Sequence, residues 1–210
     1  MNPGWGEAWG CAVVDLGFGD AGKGSVVDFL VRDAGADLVV RFNGGAQAGH
    51  NVVTADERHH TFSQLGAGSF AGVPALLGPA FLLHPLALAV EVEHLQAEGV
   101  PDPWALVAVD RRAPVITPFQ QAAGRVRELR RGAAAHGTCG VGVGERVGDG
   151  LAFPDQQLVA GDLGDRTRVG AQLRAQRARL LDELGADETD GLFDDPGVVD
   201  RIVDAWAELA

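Results

Sequence analysis

Four glycines fall within nine residues at Gly17-Phe-Gly-Asp-Ala-Gly-Lys-Gly-Ser25, directly after the apolar run Cys11-Ala-Val-Val-Asp-Leu16. Val26, Val27, Phe29, Leu30 and Val31 follow at spacings that suit a helix buried on one side. The order is therefore strand, glycine-rich turn, helix. Such a unit restricts the chain to α/β architectures with a ligand-facing turn at the end of a strand. The length of 210 residues suits one domain, and 46% hydrophobic against 22% charged residues supplies a real core.

The rest of the sequence repeats the alternation. Asp37-Leu-Val-Val-Arg-Phe42 reads as a second strand, and Asn43-Gly-Gly-Ala-Gln-Ala-Gly-His50 as a second glycine-rich loop. Asn51-Val-Val-Thr and His60-Thr-Phe form a hairpin around the turn residues Ala55-Asp-Glu-Arg58. Leu76-Leu77 and Phe81-Leu-Leu83 read as buried β segments, and Ala105-Leu-Val-Ala-Val-Asp110 as another strand. Pro85 opens a helix that Gly99 and Pro101 end. Thr117-Pro118 supplies an N-cap and first-turn proline for a helix running to Arg131-Gly132. A third glycine-rich segment, His136-Gly-Thr-Cys-Gly-Val-Gly-Val-Gly144, precedes two helical stripes. One is Val169, Leu173, Leu180, Leu184; the other is Val199, Ile202, Val203, Trp206, Leu209. The acidic residues 187–195 read as a solvated linker. The expected fold is α/β, with a mostly parallel central sheet, flanking helices and a P-loop-like nucleotide-binding loop.

Composition excludes several functions. A net charge of −12 leaves no field for nucleic acid without a local basic patch. No apolar run reaches the roughly 18 residues of a membrane span. Residues 1–10, MNPGWGEAWG, lack the charged start and apolar centre of a signal peptide. The two cysteines, Cys11 and Cys139, lie 128 positions apart and offer no disulfide scaffold, which suits a reducing cytoplasm. His59, His60, His84, His94 and His136 show no zinc-ligand spacing.

The spacing Gly17-x-x-x-x-Gly22-Lys23 is that of a phosphate-binding loop, whose bare amides converge on an anion while the lysine adds a point charge. Gly24 follows the lysine in place of the hydroxyl residue that usually meets magnesium. Asp20 sits inside the loop, where an acid is repelled by phosphate unless a divalent cation bridges them or it serves as a base. A plain turn explains the glycines alone, but not Asp20 with Lys23. His50, at the end of the second loop, reads either as a structural histidine or as a proton donor near phosphate.

Gly-Asp-Ala-Gly-Lys-Gly followed by Arg-Phe-Asn-Gly-Gly-Ala-Gln-Ala-Gly-His resembles the adenylosuccinate synthetase family. Further matches run in order through His60-Thr-Phe, Leu83-His-Pro-Leu-Ala-Leu88, Gly137-Thr-Cys-Gly-Val-Gly-Val-Gly144 and Ala160-Gly-Asp-Leu163. The resemblance implies a cytoplasmic homodimer of purine biosynthesis acting as a GTP-dependent ligase. In that family magnesium-bound GTP phosphorylates the 6-oxygen of inosine monophosphate (IMP), and the amine of aspartate then displaces phosphate. It implies Asp20 as magnesium ligand and catalytic base, and His50 as the acid at the transferring phosphoryl group. Gly19, Gly22, Lys23, Gly24, Ser25, Gln47, Gly49 and Thr138 would contact nucleotide, with a Gly49 carbonyl as second metal ligand. Residues 1–165 would form the nucleotide-binding and catalytic region, and residues 166–210 a helical segment of the same domain.

The departures are informative. The family's loop glutamate is Ala21, its second lysine Ser25, and the asparagine of its histidine loop Gln47. In the third loop Cys139 and Val141 replace a threonine and an arginine, and Pro154-Asp-Gln-Gln157 stands where the family has a subunit-crossing arginine. Groups for phosphoryl transfer are kept while those for the monophosphate are altered, which implies a specialised substrate. The chain is about half the family's length. Two other readings are a nucleotide-binding module without ligation and a subunit pairing with a full-length enzyme. The helix face of Arg125, Arg127, Arg130 and Arg131 could serve such an interface or simply be solvated, and Arg125 or Arg146 could take over a substrate phosphate.

Overall fold

The computed structural model describes residues 10–17, 19–185 and 191–209. Three strands form a parallel sheet in the order β1 (Val39–Gly45), β4 (Ala75–Leu82), β5 (Val107–Val109). A separate antiparallel hairpin joins β2 (His50–Val53) to β3 (His59–Phe62), in the register His50↔Phe62 through Val53↔His59. The helices are α1 (Lys23–Ala34), α2 (Pro85–Ala97), α3 (Pro118–Arg130), α4 (Val143–Ala152), α5 (Arg166–Leu184) and α6 (Val198–Ala207).

The expected α/β architecture is present. One strand is not: Cys11 to Leu16 has no regular structure, with Val14 69% and Leu16 97% exposed. An apolar run becomes a strand only when a neighbour supplies a hydrogen-bond ladder. Here β1 pairs with β4, and Asp15 turns its carboxylate back on its own chain to accept from Gly17 N (2.8 Å). Asn43 to Gly45 belong to β1, which shortens the second glycine loop to residues 46–49. The two segments around Gly78-Pro79 are one strand. β4 runs through the proline because a register shift between Arg41 and Asn43 accommodates it at the ladder.

Caps fix the helix starts. His84 Nδ1 accepts from Ala87 N (3.2 Å) at α2, and Thr117 makes a reciprocal capping box with Gln120 at α3. The core runs from Phe62, Leu77 and Phe81 through Leu95 and Phe119 to Trp206. Both predicted C-terminal stripes are buried along α5 and α6, save that Leu209 is only half-buried. α4 was not foreseen: its first turn follows Gly142 in the left-handed region, and the glycines around it obscure the periodicity. The expected acidic linker lies partly outside the described residues. Its remainder is anchored, because Phe193 is buried against Phe119 and its carbonyl accepts from Arg177 Nε (2.9 Å).

Candidate functional site

The turn before α1 is shaped by backbone that side chains resist. Gly19 and Gly22 have φ of 99° and 79°, and Asp20 is held at φ 49°. Gly22 caps α1 without any side-chain hydrogen bond, which leaves the first helical amides open to an anion. Lys23 begins the helix, and its Nζ contacts Asp15 Oδ2 at 2.5 Å. The hydrogen bonds from Lys23 and the Gly17 amide hold the Asp15 carboxyl below its usual range. Asp15 was read as a strand residue; its place eight positions before the lysine was the one available signal.

Gly24 joins this turn to the second loop. A Cβ at Gly24 would lie 2.6 Å from His50 Cβ and 2.7 Å from both its Cα and its carbonyl carbon, so only glycine lets α1 meet β2 here. Ser25 Oγ donates to Asn51 O at 3.0 Å on the same seam. Asn51 Oδ1 in turn accepts from Thr61 Oγ1 (3.1 Å) and lies 2.5 Å from His59 Nε2, which braces the hairpin that carries His50. Gly24 and Ser25 thus meet the start of β2 at His50 and Asn51, with Gly19, Asp20, Gly22 and Lys23 in the turn beside them and Gly49 preceding His50. Gln47, in the same short loop, is exposed, with its Oε1 beside Gly45.

Burial pushes the His50 pKa down to about 4, helped by the positive charges of Arg41 and Lys23 and opposed by Glu91. The imidazole is therefore neutral near pH 7 and offers one N–H and one lone pair. Among the described residues no three His, Cys, Asp or Glu side chains gather into a metal site.

Thr138 lies elsewhere. Its amide and that of Gly137 donate to Glu128 Oε1 at 3.3 and 2.7 Å, Gly140 lies beside Arg125, and Gly142 packs on Ile116 and Gln121. These contacts run to α3 and its N-terminal approach, and none of them reaches the turn at residues 22–25. The basic face of α3 is also engaged: Arg127 pairs with Glu145 and Glu183, Arg130 donates to the Leu184 carbonyl, and Arg131 pairs with Glu128. Arg127 and Arg130 tie α3 to α4 and α5, while Arg131 pairs within its own helix and remains, with Arg125 and Arg130, on an exposed face. Arg146 is buried, donating to the carbonyls of Val115 (3.0 Å) and Leu158 (3.4 Å), so it is not available to a substrate phosphate.

The residues sequence reasoning missed are Arg41 and Glu91, buried beside His50. A carboxylate on the apolar stripe Leu88, Val92, Leu95 of α2 was the signal for Glu91.

Residues 12–195 match the family model for adenylosuccinate synthetase. The adenylosuccinate synthetase of a Marinomonas species is 39% identical over 142 residues, covering 65% of this chain and 31% of that protein. That of Anaeromyxobacter dehalogenans is 30% identical over 174 residues, covering 83% and 40%. The chain therefore spans about a third to two fifths of the length of these relatives. Among solved structures, fully ligated adenylosuccinate synthetase from Plasmodium falciparum shares the fold, with a TM-score of 0.73 at 20% identity over 90% of this chain and 42% of that one. A succinoaminodeoxyadenylate synthetase from cyanophage S-2L, bound to dGMP and to dATP as an energy donor, gives 0.51 at 21% over 71% and 40%.

Proposed function

The chain belongs to the adenylosuccinate synthetase family, and on that premise we propose that it forms the phosphoryl-transfer part of a GTP-dependent ligase. The reaction is phosphorylation of the 6-oxygen of IMP or a related purine nucleotide, followed by displacement of phosphate by the amine of aspartate. The observation that carries this reading is the contact of Gly24 with His50, which puts a helix N-terminus, a lysine and a neutral imidazole on one small surface.

Each group has work there. The amides of Gly22 and Gly24 and the Lys23 ammonium receive phosphate oxygens, with Gly19 and Ser25 shaping the loop. The Lys23 ammonium, with three donors and one contact to Asp15, has donors left for phosphate oxygens. Asp20 removes the purine N1 proton, which puts charge on the 6-oxygen and makes it a nucleophile. His50 donates a hydrogen bond to the phosphoryl group as charge develops on it. Gln47 would meet the nucleotide substrate from the loop before His50, and Thr138 would meet it only from its separate loop beside α3. Asp20 and the Gly49 carbonyl are an oxygen-only donor pair suited to Mg2+, which would be held jointly with phosphate oxygens and would neutralise their charge. The enzyme is cytoplasmic and works as a homodimer. Among the described residues no helix is long and apolar enough to cross a membrane.

Calorimetric titration of Mg-GTP and Mg-ATP into wild type and Lys23→Ala tests the cradle. Loss of a charged hydrogen bond weakens binding by about 1.5–3 kcal/mol, or roughly ten- to a hundredfold, whereas equal affinity removes the phosphate-loop reading. Asp20→Asn and His50→Asn are expected to slow phosphate release far more than they weaken binding, since both act on charge formed during transfer. Near-wild-type rates in both exclude the mechanism. With Arg146 committed to carbonyls, IMP is expected to bind little better than inosine in the presence of a non-hydrolysable GTP analogue. A strong preference for the monophosphate would show that another basic group, such as Arg125 beside Gly140, replaces the missing arginine.

A further inference from the structure

Residues 63–65 leave the hairpin without a strand ladder to bond to, yet almost every backbone group there is taken up. Glu91 accepts from Ser63 N (3.2 Å), Ser63 Oγ (2.6 Å), Gln64 N (2.7 Å) and Leu65 N (3.1 Å). From the other side the Arg41 guanidinium donates to the carbonyls of Ser63 (3.1 Å), Gln64 (3.4 Å) and Leu65 (2.9 Å). Both charged groups are nearly out of water, Glu91 at 4% and Arg41 at 7% exposure. Gln64 completes the fixation by pairing its amide with both backbone groups of His84, at 2.8 and 2.9 Å. Residue 63 directly follows Phe62, and Phe62 is the cross-strand partner of His50.

We propose that Arg41 and Glu91 are positioning residues of the candidate site: by gripping the backbone of residues 63–65 from both sides, they hold the hairpin, and with it His50, against Gly24. This rests on the reading of His50 as a group of the phosphoryl-transfer site. Two buried charges are an expensive way to stabilise a fold, and apolar residues of the same volume would serve stability as well or better. What charge and fixed geometry supply is a single backbone position for an otherwise ladder-free segment. The seam at Gly24 requires that, because the contact with the His50 backbone leaves no room for displacement.

The test reads the placement of His50 without ligand or turnover. In protein labelled at histidine and glycine, the nuclear Overhauser effect between the His50 β protons and the Gly24 α protons is recorded together with the His50 ring signals. Glu91→Gln is expected to weaken or abolish that effect and to split or broaden the ring signals, while the Trp206 indole signal in the distant core stays put. Arg41→Lys, whose single point charge cannot span three carbonyls, is expected to do the same more mildly and decides the matter should Glu91→Gln fail to fold. Asp149→Asn, in a separate buried network that joins α3, α4 and α5, is the control for general destabilisation and is expected to leave His50 untouched. An unchanged effect in a folded Glu91 or Arg41 variant overturns the proposal, and so does an equal disturbance by Asp149→Asn. A chain that bound no nucleotide would refute the ligase reading yet could still pass this test, so the two failures are separate.

Discussion

Glu91 and Asp149 are both buried carboxylates bonded on several sides, but their partners differ in kind. Glu91 meets backbone amides of an irregular segment, and opposite it Arg41 meets that segment's carbonyls. Asp149 meets side chains: Gln120 Nε2 and Gln176 Nε2 at 3.0 Å, and Arg179 Nη2 at 2.9 Å. Gln120 belongs to the capping box of α3, and Thr117 Oγ1 donates to Gln176 Oε1 at 2.5 Å, so this second cluster locks α3, α4 and α5 to one another. Helices satisfy their own backbone and need only their mutual positions fixed. A segment between a hairpin and a sheet has no such self-sufficiency, so its amides and carbonyls must be met from outside. Glu91 with Arg41 places backbone, and the cluster around Asp149 places side chains.

The largest expected effect tests that contrast directly. Glu91→Leu strands three amides and an uncompensated guanidinium, and it should cost about 3–5 kcal/mol. Asp149→Leu should cost less, about 2–3 kcal/mol, because Arg179 is partly exposed and can turn to water. Urea unfolding gives the energies. Hydrogen exchange gives the location: faster exchange in residues 59–65 for the first variant, and in α3 and α5 for the second. Swapped exchange patterns would break the comparison.

Next in size are two glycines at the starts of helices. Gly24→Ala forces a Cβ into the His50 backbone and should destabilise by about 1–3 kcal/mol. Gly144, near the start of α4, has open space around a Cβ, so Gly144→Ala should be neutral or stabilise by up to about 1 kcal/mol. Thermal melts of the two proteins decide the point, and equal losses would mean that the Gly24 contact carries no special constraint.

Acid should loosen the grip of Glu91 on residues 63–65. Burial works against the Glu91 charge, but His60 nearby, the Ser63 hydroxyl and the amides of Gln64 and Leu65 outweigh it and hold its pKa below 4.5. In the window between the unfolded and folded values the unfolded chain takes up the proton first. This contribution to stability is thus complete above about pH 4.5, the ordinary value, and fades as pH falls below it. Urea midpoints between pH 6 and pH 3 should fall less steeply for Glu91→Gln than for wild type, and parallel curves would remove Glu91 from the acid response.

The smallest effect is expected on the surface. Arg127→Ala breaks partly exposed pairs with Glu145 and Glu183 and should cost about 0.5–1 kcal/mol, without consequence for nucleotide affinity. A marked loss of affinity would return the α3 arginines to the substrate site.

Sequence determined what local chemistry can encode. The glycine spacing at Gly17, Gly22 and Gly24 around Asp20 and Lys23, the cap at Thr117, the helix start at Pro85, and the stripes of α5 and α6 are written within a few turns of chain, because φ preference and periodicity act at that range. The hairpin from Asn51 was legible for the same reason, although His50 belongs to its first strand and not to the loop before it. Tertiary structure decided the rest. Whether the run from Cys11 to Leu16 is a strand depends on a neighbour's ladder, and whether residues 191–195 are free depends on a pocket for Phe193 beside Phe119. That Arg127 and Arg146 face carbonyls and carboxylates instead of ligand depends on residues dozens of positions away. The meeting of Gly24 with His50 across 26 residues, and the grip of Arg41 and Glu91 on residues 63–65, follow from chain topology alone: hydrogen bonds and close contacts are satisfied by whatever the fold brings near, and one-dimensional spacing carries no record of that.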